Sequence, residues 1–76
     1  MVGVAPCDEW IEKYIVCIDH KAPQLAREQM KQAIAQTKRT WRKTARTAEG
    51  RVALATSCVR MVESTRQATV SIGCAW

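Results

Sequence analysis

The four cysteines, Cys7, Cys17, Cys58 and Cys74, limit what this chain can become more than anything else in it. A sequence of 76 residues makes one domain at most, and a core that small is marginal without reinforcement. An even set of cysteines in such a chain predicts two disulfides and an oxidising compartment. The competing reading is a cytosolic protein whose reduced thiols fill core space. Which bridges form depends on what lies between the cysteines.

The intervening sequence reads as helix. It is rich in Ala, Arg, Lys, Gln and Glu, and its apolar residues recur at helical spacing without strand-like alternation. The pattern predicts a single all-α domain over 1–76, with helices at about 8–18, 23–46 and 48–72. Asp8 and Glu9 suit the positive end of the first helix, whose inner face is Cys7, Trp10, Ile11, Tyr14, Ile15 and Ile18. Pro23 fits the first position of the second, with an inner stripe of Ala26, Met30, Ala33, Ile34, Thr37, Trp41 and Ala45.

Thr47 is an expected N-cap for the third helix, and Gly50 a tolerated but weakening residue in it. Its inner face is Leu54, Ala55, Cys58, Met61, Val62, Thr65, Thr69 and Ile72, with Gly73 as terminator. Short connections make consecutive helices antiparallel, which predicts an up-down-up three-helix bundle. If the chain only kinks near Arg46, helices two and three instead form one long rod.

Helix rise then decides the pairing. Cys7 and Cys17 lie ~15 Å apart along a helix, beyond the ~7 Å that a disulfide spans, and Cys58 with Cys74 fails likewise. In an up-down-up bundle helices one and three run parallel, which favours Cys7–Cys58 and Cys17–Cys74. The sixteen residues from Cys58 to Cys74 rise further than the ten from Cys7 to Cys17, a mismatch that the bend after Gly73 absorbs. The alternative, Cys7–Cys74 with Cys17–Cys58, needs helices one and three antiparallel. A zinc site built on Cys17 and His20 competes, but the remaining cysteines lack the close-spaced pairs of zinc modules. We expect no metal and no cofactor.

The nine residues between Cys7 and Cys17 resemble half of the twin C-x9-C pattern of coiled-coil-helix-coiled-coil-helix proteins. The fifteen between Cys58 and Cys74 depart from it. From Pro6 to Trp76 the chain is similar to a group of small exported bacterial proteins, often lipoprotein-like. The similarity rests on "CDEWIEKYIVCI", a central Trp in "RTWRKTARTAEGRVALATSC" and a terminal "GCAW". That resemblance implies an exported, four-cysteine helical domain and transfers no activity. No run approaches the ~20 apolar residues of a membrane span, and the N-terminus does not read as a signal peptide. The expectation of two disulfides is what leads us to read the numbered chain as a mature secreted or periplasmic form.

Charge is the uneven feature. Lys38, Arg39, Arg42, Lys43, Arg46 and Arg51 face only Glu49 in their segment, which therefore holds the whole net charge of +5. On a helical wheel Lys31, Lys38, Arg39, Arg42, Lys43 and Arg46 oppose Met30, Ile34 and Trp41. The plain reading is a solvated face that aids solubility. The functional reading is an anion-binding surface for an acidic protein or an anionic envelope surface, with non-specific nucleic-acid binding as a further option. Trp10, Trp41 and Trp76 are read as packing residues.

No nucleophile, base and oxyanion site occur together, and there is no phosphate loop or C-x-x-C, so an enzyme is not expected. Three readings follow. The first is an exported interaction module with a basic face. The second is a cytosolic nucleic-acid-associated protein with reduced cysteines. The third is a self-associating helical hairpin built on the kinked rod.

Overall fold

A computed structural model describes residues 1–74 and Trp76; Ala75, inside the "GCAW" ending, lies outside the described residues. Three helices make the fold, α1 (Ala5–Lys21), α2 (Gln24–Thr44) and α3 (Ala48–Val70), with no strand among the described residues. Trp10 of α1 meets Trp41 near the end of α2, while Asp19 of α1 meets Lys31 nearer its start, so these helices run antiparallel. Cys7 joins Cys58 and Cys17 joins Cys74, so α1 and α3 run parallel. The bundle is up-down-up, and the pairing is the one that helix rise favours.

Local chemistry sets the boundaries. α1 starts three residues earlier than periodicity suggests. Pro6 sits in its first turn, and the Val4 carbonyl accepts from the N–H groups of Cys7 and Asp8, both at 3.0 Å. It ends because Pro23 forces Ala22 into extended geometry, φ −86° and ψ 147°. Pro23 itself stands just ahead of α2 as its N-cap, one place before the expected position.

The α2–α3 seam is a true break, which removes the continuous rod. Thr47 is extended, and its Oγ1 accepts from the Gly50 N–H at 3.0 Å. Gly50 is there for space. A Cβ at that position would lie 1.9 Å from the Thr44 carbonyl oxygen. Helix propensity alone predicts that Gly50→Ala stabilises α3 by about 1 kcal/mol. The packing reverses that sign: we expect a lowered urea midpoint, and a raised one would show that the turn relaxes freely.

α1 is the central helix. It packs most extensively on α3, less on α2, and α2 and α3 share the smallest interface. The Cα trace measures 37 × 22 × 13 Å. The core contains Cys7, Trp10, Ile11 and Ile18 from α1, Ile34 from α2, and Leu54 and Cys58 from α3. Tyr14, Ile15, Met30, Trp41, Ala45, Ala55, Met61, Val62 and Trp76 pack around it.

Three features depart from the sequence reading. Val2 and Val4 enter the core, because the Asp8 carboxylate accepts from the N–H groups of Val2 (2.7 Å) and Gly3 (3.2 Å) and folds the leading segment back. Ala33 is exposed because α2 makes so little contact with α3. Ile72 is exposed because α3 has already ended and the chain is turning. That turn closes at Gly73, φ +86°, where the Cys74 N–H reaches back to the Thr69 carbonyl and brings Cys74 to Cys17.

Candidate anion-binding surface

The basic side chains of α2 do not act as one set. Lys31 is withdrawn from the free face: its ammonium pairs with the Asp19 carboxylate of α1. That hydrogen bond, helped by the charges of Lys31, Arg27 and His20, holds the Asp19 carboxyl below its ordinary value. The wheel placed Lys31 with the others, but it falls on the flank of α2 nearest α1 and within reach of an acidic partner.

Lys38, Arg39, Arg42, Lys43 and Arg46 remain. Four of them lie in the last two turns of α2, which ends at Thr44 and not at the expected 46, and Arg46 follows in the turn after it. Arg39, Arg42, Lys43 and Arg46 are exposed while Lys38 is half-buried. Among the described residues the ion pairs are Lys13–Glu9, Lys31–Asp19 and Arg66–Glu63, and none uses these five cations. Their position near the C-terminal end of α2 is favourable in itself, since that end carries the negative pole of the helix dipole.

The leading segment adds to this surface. Arg42 Nε donates to the Met1 carbonyl at 3.1 Å. The Met1 amine stands close by, its pKa lowered by partial desolvation first and then by Arg42 and Lys38, against an opposing pull from Asp8. The sequence pattern gave no sign of this, because the contact spans 41 positions and depends on Asp8 folding the segment back.

One bridge joins α1 to α3, the other joins α1 to the turn that follows α3, and neither touches α2. The basic helix is therefore held by apolar packing of Ile34, Met30 and Trp41, by the Lys31–Asp19 pair, and by two short connections. Disulfides stiffen the base of the platform and not the helix that presents the charge.

A second place gathers side chains of chemical interest. Val16, Cys17, His20 and Lys21 of α1 and Gly73 and Cys74 of the closing turn line an open cavity of about 280 Å³. With all four sulfurs in bridges, Cys17 offers no thiolate to a metal beside His20. Comparison with known proteins finds no matching protein-family model, no matching curated protein and no matching solved structure.

Proposed function

We propose that this protein is a non-catalytic, exported interaction module that presents the basic end of α2 to an anionic partner, either an anionic envelope surface or an acidic protein. One observation carries the reading: five neighbouring cations gather at the C-terminal end of α2 and the turn after it, and none is in an ion pair among the described residues. Two bridges are compatible with an extracellular location, and no described helix is long and apolar enough to cross a membrane. Contact would be at a surface, through phosphate or carboxylate groups drawn to guanidinium and ammonium groups.

Vesicles containing phosphatidylglycerol, compared with purely zwitterionic ones at two salt concentrations, test this. We expect binding to the anionic vesicles only, weakened by salt. Replacing Arg39, Arg42, Lys43 and Arg46 together by glutamine should weaken binding by two to three orders of magnitude, at about 1 kcal/mol for each basic residue near the surface. Binding that ignores both salt and the substitutions overturns the membrane-surface form. Tighter, steeply salt-dependent binding to duplex DNA would replace it with the nucleic-acid reading.

A further inference from the structure

The two disulfides sit in different surroundings. Cys7 and Cys58 are both 0% exposed, and the Cys7 sulfur lies 3.5 Å from the Leu54 carbonyl oxygen of α3. Cys17 is buried at 6%, but its partner Cys74 is partly exposed, and both line the open cavity described above. Lys21 stands one helical turn beyond Cys17. A Cβ on Gly73, the neighbour of Cys74, would lie 3.5 Å from the Lys21 ammonium. A cation thus stands at the mouth of the one bridge that solvent can approach.

We infer that Cys17–Cys74 is a thiol–disulfide exchange site whose co-substrate is a small-molecule thiol. The thiolate enters the cavity and attacks the Sγ of Cys74, the more exposed residue of the pair. A bond forms between the incoming sulfur and Cys74 Sγ as the bond to Cys17 Sγ breaks, and the electron pair leaves on Cys17 as thiolate. A second thiolate then attacks the incoming sulfur of that mixed disulfide. This releases the small-molecule disulfide and leaves Cys74 as thiolate, so two thiols supply the two electrons.

Lys21 acts twice: it attracts the anionic nucleophile, and it offsets the negative end of the α1 dipole, which otherwise opposes a thiolate at Cys17. Opening this bridge frees the turn after α3 and the Trp76 ring that rests 6.3 Å from Tyr14. Cys7–Cys58 meanwhile keeps α1 on α3.

The test exposes the oxidised protein to reduced glutathione at neutral pH, traps thiols at intervals with iodoacetamide, and maps the labelled cysteines. Cys17 and Cys74 should label at least about tenfold faster than Cys7 and Cys58, since accessibility and local charge control exchange rates. The helical circular dichroism signal should be retained during that first phase. With the exchange run at low and at high salt, Lys21→Gln should slow the first phase several-fold at low salt and remove the difference between the two conditions. Simultaneous labelling of all four cysteines, or labelling only in step with loss of helix, overturns the exchange site. An unchanged rate in Lys21→Gln overturns the role assigned to the cation.

Discussion

Replacing Cys7 and Cys58 together by alanine is expected to leave much of the chain unfolded at room temperature. With Cys17–Cys74 still closed, the missing bridge no longer shuts a loop of some 26 residues in the unfolded chain, worth roughly 3–4 kcal/mol in the entropy model. The same arithmetic applies to either bridge, so chain entropy does not rank them. Burial does: Cys7 and Cys58 have no exposed surface and lie between α1 and α3, and alanine leaves a void where the sulfurs were. A domain of this size has a total stability of about 4–11 kcal/mol, so the combined loss removes most of it. Urea unfolding followed by circular dichroism measures it. A midpoint change equivalent to less than about 1 kcal/mol would show that the bridge is dispensable.

Trp10→Ala should be the most damaging single substitution outside the cysteines. Trp10 is 7% exposed and touches both other helices. Its indole Nε1 donates to Thr65 Oγ1 of α3 at 2.9 Å. Its ring meets Trp41 of α2 edge-on at 5.5 Å and tilts against Tyr14 at 5.0 Å. Truncation removes the largest side chain of the core and should cost about 3–5 kcal/mol. Trp10→Phe keeps the aromatic contacts and loses the hydrogen bond, so it should cost clearly less.

The distribution of damage is as informative as its size. Neither bridge touches α2, so loss of the Trp10–Trp41 contact should loosen α2 more than α1 or α3. Hydrogen exchange in Trp10→Ala should therefore accelerate first at the amides of 30–44. Uniform acceleration across the three helices would mean that α2 depends on this contact no more than α1 and α3 do. The same experiment bears on function, because α2 holds the cations that the proposed interaction needs.

Helix existence, the inner face of α1 and the cysteine pairing could all be read from the residues alone. Each depends on a fixed local geometry: an apolar residue every third or fourth position, and a rise too long for Cys7 to meet Cys17. The charge concentration on α2 was equally plain. Its division was not. Lys31 and Lys38 look alike on a wheel, and only the position of Asp19 on a neighbouring helix takes Lys31 out of the set. The core role of Val2 and Val4 was hidden for a similar reason, since nothing in a helical period describes a segment held back by two hydrogen bonds to Asp8.

Gly50 shows most clearly where local reasoning stops. As a residue in a helix it is a weak helix former; against the Thr44 carbonyl it is the only residue that fits without movement, because any Cβ would clash there. The unequal fates of the two disulfides follow the same division. Spacing pairs the sulfurs, because covalent reach and helix rise are properties of the chain. Tertiary packing buries one pair at the α1–α3 interface and leaves the other beside Lys21 in an open cavity, because exposure depends on how three helices and a closing turn come together.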